Sequence, residues 1–228
     1  MMNDRISDKL KVLKPSGIRK FFDIVATKKD VISLGVGEPD FATPWNIVDA
    51  AFYNMKMGRT HYTSNFGLLE FRKEVGEYLK KYDLDYGPDE IIATIGGSEG
   101  IDLALRSIIN PGDEIIVPEP VYVPYRPLSE LTGATVVGID TSKTEFKVDA
   151  KELEKLITPK TKAIILCYPN NPTGITMPYE DLKAVAEVVK KHNVWVITDE
   201  IYSELTYVGE HTSIASFPGM KERTIYLN

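Results

Sequence analysis

Three observations predict an α/β fold built on a mainly parallel sheet. Short apolar runs at Ile91–Ile95, Glu114–Val117, Thr135–Ile139, Ala163–Cys167, Val194–Thr198 and Thr224–Leu227 alternate with amphipathic helical patterns. Turn residues such as Asn110-Pro111-Gly112 and Gly133 punctuate that alternation, which is the signature of strand–helix–strand units. Two polar clusters, Asn170 to Gly174 and Asp199 to Tyr202, directly follow two of the apolar runs. In a parallel sheet the carboxyl ends of such strands open onto one crevice, where open α/β sheets bind ligands.

Taken in order, residues 1–30 form an arm and an approach segment with Ile18, Phe21, Phe22 and Ile24 as apolar contacts. Val31–Leu34 is a strand candidate running into the turn-rich Gly35-Val36-Gly37-Glu38-Pro39-Asp40. Asp40 stands where a dinucleotide fingerprint needs its third glycine, so a Rossmann loop is a poor match. Thr43-Pro44 reads as a cap with Pro at the first helical position. Ile47, Ala51 and Met55 then repeat at helical spacing up to Gly58. A second amphipathic helix carries Leu68, Phe71, Val75 and Leu79 on one face. Further helices are predicted over Ser98–Ile109, Tyr122–Leu131, from the capping box at Asp149 to Ile157, and over Tyr179–His192. We place a first domain segment at residues 1–47 and a large domain at 48–228.

The bulk numbers bound the function. The 228 residues are 43% apolar and 26% charged, which is ordinary globular composition. A net charge of −6 gives no footprint for nucleic acid or an anionic membrane. No apolar run approaches the roughly 20 residues of a membrane helix. The single cysteine, Cys167, excludes an internal disulfide and fits a reducing cytoplasm. It lies in an apolar run and reads as a buried, inert thiol. The three histidines have no metal-ligand spacing.

Several motifs can carry chemistry. Gly96-Gly97-Ser98-Glu99-Gly100 joins a strand to a helix, and backbone N–H groups at a helix start make an anion site. The same residues spell Gly-x-Ser-x-Gly, so a serine hydrolase using Ser98, with Asp199 and His211 in the matching chain order, is an alternative. Asp199 ends a strongly apolar strand and points to the opposite face from Glu200, so the two are not an acid/base pair. A lone carboxylate facing a protonated ring nitrogen keeps both groups charged, and a pyridinium held that way is the electron sink of pyridoxal chemistry. Tyr122 stands where an aromatic could stack on a flat ring, and Tyr125 follows it; packing alone explains either equally well.

Together these motifs resemble the fold-type I, pyridoxal-phosphate-dependent aminotransferases of class I/II. The resemblance covers Leu34 to Phe41, Tyr62-Thr63, Gly96 to Glu99, Asn110 to Asp113, Pro120 to Tyr125, Asn170 to Gly174 and Thr198 to Tyr202. It implies the three-layer large domain of that family, with an N-terminal segment belonging to a small domain. It implies pyridoxal 5'-phosphate as cofactor, amino acid and 2-oxo acid substrates, and a homodimer. Gly97, Ser98 and Glu99 would hold the cofactor phosphate, Tyr122 would stack on the ring, Asn171 and Tyr202 would bond its phenolic oxygen, and Asp199 its nitrogen. Gly37 and Asn171 would meet the substrate, residues around Ile18 would close over it, and Tyr62 would reach a partner subunit's phosphate.

One departure matters. The lysine that the family joins covalently to the cofactor follows a strand like Thr224–Leu227, and this sequence stops at Asn228. The expectation is therefore that residues 1–228 are part of a longer enzyme and carry no transaminase activity alone. A pyridoxal-phosphate C–S lyase of the same fold shares every motif and is the nearest alternative. A non-catalytic pyridoxal-binding module is another, against which the lack of a basic DNA-binding segment counts.

Overall fold

The computed structural model describes residues 5–13, 17, 24, 27, 32 and 41–228. The chain divides into two compact units, one of Lys14–Leu68 and one of Met1–Leu13 with Leu69–Asn228. Apart from Ile32, the strand expected at Val31–Leu34 lies outside the described residues, as do the loop through Gly37 and the contact residue Ile18.

The larger unit is a five-stranded sheet in the order β2-β1-β3-β4-β5, with β1 at Glu114–Glu119, β2 at Thr135–Asp140, β3 at Thr161–Cys167, β4 at Trp195–Asp199 and β5 at Thr224–Leu227. All four strand pairings are parallel. Alternation along the strands builds two cores. Ile115, Val117, Ile165, Cys167 and Ile197 point to one face, where they pack against Ile101, Ala104 and Leu105 of the helix Gly96–Ile108 and against Tyr125 of the helix Tyr125–Thr132. Ile116, Ile164, Leu166 and Val196 point to the other face, against Leu153 of Ala150–Leu156 and Leu182, Val185 and Val189 of Tyr179–His192. Side chains of period two on the sheet, met by helical stripes from both sides, produce the three layers that the resemblance implied.

Local chemistry fixes the helix ends. Asp149 accepts from the N–H groups of Lys151 and Glu152 and caps Ala150–Leu156, as the sequence predicts. Gly133, at φ 96°, ends Tyr125–Thr132 in the left-handed conformation that glycine adopts most freely.

Four details depart from expectation. Ile91–Ile95 forms no strand among the described residues: it runs without a ladder partner into a bend at Ile95, which is 90% exposed. An apolar run alone does not make a strand without a neighbour to bond it. The helix expected from Tyr122 begins at Tyr125, because Tyr122 to Pro124 form the turn that leads into it. In the helix Leu69–Leu79 the buried positions are Arg72, Gly76 and Leu79, while Phe71 is exposed. The helix Trp45–Lys56 of the smaller unit has Pro44 at its cap rather than Thr43, and its Ile47, Phe52 and Met55 are all exposed.

Gly76 offers a test of the packing. A Cβ built there would stand 2.7 Å from the backbone oxygen of Tyr86. Helix propensity alone predicts that Gly76→Ala stabilises the chain by about 1 kcal/mol. Overpacking against a fixed carbonyl costs about 1–3 kcal/mol and should dominate. Urea denaturation should therefore show Gly76→Ala to be the less stable protein; a higher midpoint at unchanged slope would contradict this close approach.

Candidate active site

The sheet order reverses at β1, whose neighbours are β2 and β3, and the carboxyl ends of β3 and β4, with the segment that follows β1, border one cavity of about 190 Å³. Its lining includes Gly97, Ser98, Tyr122, Asn171, Asp199 and Tyr202 from the sequence reading, together with Ile101, Tyr125, Cys167 and Ile201.

Each group is set by its element. Asp199 follows Ile197 by two positions on β4, so it leaves the sheet on the same face as Ile197 and Cys167, beside which it is paired in register. It is 6% exposed. Its Oδ2 accepts a 2.6 Å bond from the Tyr125 hydroxyl, and its Oδ1 accepts from the Ile201 N–H at 3.3 Å. Asn171 is presented by a turn that Asn170 holds closed. The buried Asn170 side-chain oxygen accepts from the backbone and hydroxyl of Thr173, and its carbonyl accepts from the Gly174 N–H. Gly174 at φ 72° completes that turn. Asn171 Nδ2 then donates to the Tyr202 hydroxyl oxygen at 3.4 Å, which leaves the Tyr202 proton free to point elsewhere.

At the other end of the cavity, the helix Gly96–Ile108 begins with no side-chain cap on its first-turn N–H groups. A Cβ at Gly97 would meet nothing within 4 Å, so the surface there is open. The Ser98 hydroxyl lies 3.5 Å from the Tyr122 hydroxyl. An uncapped helix start with an adjacent hydroxyl is a site for a small anion. Glu99 sits apart from the other predicted contacts. Its carboxylate turns back to accept the Ile95 N–H, and it does not line the cavity, which leaves only its backbone N–H for the same task.

Tyr125, which the sequence left undecided between packing and chemistry, lines the cavity and bonds Asp199. It is fully buried, and its ring meets Tyr122 edge-on at 5.5 Å. Its position three residues after Tyr122, on the same face of the helix predicted from Tyr122, is the signal that the sequence offered. Burial first, then the neighbouring Cys167 and Asp199, push its phenol far above the ordinary value, so it remains a neutral donor. Cys167 is 2% exposed, and burial pushes its thiol up to about 11, which matches the inert thiol expected from its sequence context.

The back of the same strand tip carries a separate polar cluster. Glu200, 2% exposed, accepts from the hydroxyls of Thr198 and Ser213 at 2.8 Å each and meets His211 Nε2 at 2.6 Å. The backbone N–H of Glu200 donates to Leu227 at the end of β5. His211 is thereby committed to Glu200 rather than to Asp199 or Ser98, and the hydrolase order of Ser98, Asp199 and His211 is not assembled as a triad. Tyr62 belongs to the smaller unit and is fully exposed, while Gly37 and Ile18 lie outside the described residues.

The family model for aminotransferase class I and II matches residues 29–225. A putative aminotransferase, YugH, of Bacillus subtilis is 50% identical over 230 residues, covering 100% of this chain and 60% of its own length. A probable N-acetyl-LL-diaminopimelate aminotransferase of the same organism is 45% identical, covering 100% of this chain and 58% of itself. Among solved structures, a Pyrococcus protein-A1 superposes with a TM-score of 0.93 at 42% identity, over 96% of this chain and 57% of that one. Aspartate aminotransferase from Thermus thermophilus with maleate gives 0.91 at 33% identity, over 97% of this chain and 59% of that one. The chain thus spans 58–60% of the length of these two curated relatives.

Two outcomes follow from the buried groups. His211→Ala removes a hydrogen bond from a buried carboxylate, so unfolding free energy should fall by about 1.5–3 kcal/mol; a loss under about 0.5 kcal/mol would mean that the pair adds nothing. The second concerns alkali. The thiol of Cys167 and the phenol of Tyr86 are raised from 9.0 to about 11 and from 10.0 to about 12, in both cases chiefly by burial. A group whose folded value is raised holds its proton more tightly when folded, so its contribution is complete below the unfolded value and is lost as pH rises through the folded one. Stability should therefore decline between about pH 9 and 12, and less steeply in Cys167→Ala over the first part of that window. A flat profile to pH 11 would contradict the assignment.

Proposed function

This chain belongs to the aminotransferase class I and II family, and on that premise we propose that its cavity holds pyridoxal 5'-phosphate in an enzyme that moves an amino group between an amino acid and a 2-oxo acid. Members of the family depend on this cofactor. One observation carries the reading: a buried carboxylate, a polar Asn–Tyr pair, an aromatic wall and an uncapped helix start all open onto a single cavity. An aromatic ring with a basic nitrogen, a phenolic oxygen and an anionic tail fits that set of groups.

In this reading Asp199 meets the ring nitrogen, and the opposite charges keep each other ionised. Asn171 and the free Tyr202 proton meet the phenolic oxygen. The N–H groups of Gly97, Ser98 and Glu99, with the Ser98 hydroxyl, hold the phosphate, and Tyr122 covers the ring face. When bound, the cofactor supplies an electron sink for the charge left when an amino acid loses its α-proton. The residues of this chain bind it, fix its orientation and hold a proton on its nitrogen. Gly37 with Asn171 takes the substrate carboxylate, residues near Ile18 close over it, and Tyr62 reaches the phosphate of a second subunit in a cytoplasmic homodimer. Residues 1–47 then belong to the small domain and 48–228 to the large one.

Asp199→Ala tests the core of the proposal. Removing a desolvated charge that pairs with the ring should weaken cofactor binding by at least about 100-fold, since breaking a buried pair costs about 3–5 kcal/mol. Equilibrium dialysis of pyridoxal 5'-phosphate against the intact protein and the variant gives the ratio. Equal affinity, with the wild type binding at the micromolar level, would remove Asp199 from the site. Failure of the wild type to bind would remove the cofactor from the proposal.

A further inference from the structure

Besides its neighbour Cys167, Tyr125 touches two other residues that line the cavity. Its hydroxyl donates to Asp199 Oδ2 at 2.6 Å, and its ring stands edge-on to Tyr122 at 5.5 Å and 80°. It is fixed in turn by its own element. It is the first residue of the helix Tyr125–Thr132, its N–H donates to the Tyr122 carbonyl, and its carbonyl accepts the Ser129 hydroxyl at 2.8 Å. Both members of the Tyr125–Asp199 pair are buried, at 0% and 6% exposure. A carboxylate in such a place has few ways to be satisfied. Its donors among the described residues are the Tyr125 hydroxyl and the Ile201 N–H, and no lysine or arginine is among the described residues lining the cavity. The short phenol bond is therefore a main restraint on where the Asp199 carboxylate points.

We propose that Tyr125 is a positioning residue for the cofactor's ring nitrogen, acting through the Asp199 carboxylate that its hydroxyl orients. This inference rests on the reading of the cavity as a pyridoxal 5'-phosphate site and adds a residue that the motif set did not assign. Tyr125 need not touch the ring. Its hydroxyl fixes the plane of the carboxylate, so that the remaining lone pairs face the cavity where the ring nitrogen would sit. Because the phenol remains neutral, this donor does not switch off across the working pH range.

The test separates this role from simple packing by changing the ligand as well as the protein. Pyridoxal 5'-phosphate and its 1-deaza analogue, in which the ring nitrogen is a carbon, are each bound to the intact wild-type protein and to Tyr125→Phe. Affinities are measured by equilibrium dialysis, and folding is checked by near-ultraviolet circular dichroism. Loss of the Tyr125 hydroxyl should weaken pyridoxal 5'-phosphate about tenfold, equivalent to about 1.4 kcal/mol. The analogue, which has nothing for Asp199 to hold, should change less than about twofold. Equal weakening of both ligands overturns the proposal in favour of packing, and no weakening of either overturns it outright. Should Tyr125→Phe not fold, Tyr125→3-fluorotyrosine keeps the shape and alters only the acidity of the donor. The ratio of the two affinities must then shift while that of the analogue stays constant, and an unchanged ratio overturns the proposal. A wild-type protein that binds neither ligand refutes the underlying reading instead.

Discussion

The side-chain parity of one buried strand governs this molecule. Along Trp195–Asp199, successive residues face opposite layers, and the strand is hydrogen-bonded on both edges, to β3 and β5. Ile197 anchors one face in the core beneath the helix Gly96–Ile108, and Val196 anchors the other beneath Tyr179–His192. With both faces committed to dry cores, a slip of one residue would bury polar groups and expose apolar ones along the whole strand. The acid at the tip inherits that certainty. Asp199 must emerge on the face of Ile197, toward the start of the glycine-rich helix, and Glu200 must turn to the other.

The consequence is a division between two adjacent carboxylates. Asp199 keeps capacity free toward a cavity, with one hydroxyl and one backbone N–H as its recorded donors. Glu200 is spent on structure. Three side chains converge on it, and its backbone ties β4 to the end of β5. A buried carboxylate with several partners resists movement, because each partner lost leaves charge unpaired in a low dielectric. The rigid acid on the back of the tip thus restrains the backbone of the one in front.

Much of this was legible in the amino-acid order, for physical reasons that differ by element. Strand identity along Ala163–Cys167 and Val194–Thr198 was clear because strands buried on both faces read as continuous apolar runs. The Asp149 cap was legible because capping is a local bond that its own sequence spells out. The convergence of Asn171, Asp199 and Tyr202 followed from the rule that parallel strands end on one side. What failed was non-local. Ile91–Ile95 has the composition of a strand, but pairing depends on a neighbour that composition does not reveal. The burial of Arg72 instead of Phe71 depends on what lies across from that helix, not on its own pattern. Tyr125 was ambiguous for a related reason, since its partner lies 74 positions away.

That separation in sequence is also why Tyr125 can matter to the chemistry. A local cap on Asp199, such as the Ile201 N–H, moves with the strand tip and cannot hold it against anything. Tyr125 sits on another element, seated in the core by Ser129 and by the packing of its own helix, so its hydroxyl is a fixed external point. Orientation of a carboxylate requires such a point, because a restraint confers geometry only when its own position is independently determined. The same ring borders Tyr122, so the wall of the cavity and the acid at its end share one support. Disturbing Tyr125 should therefore act on both together, whereas disturbing Asn171 or Ser98 acts on one contact at a time.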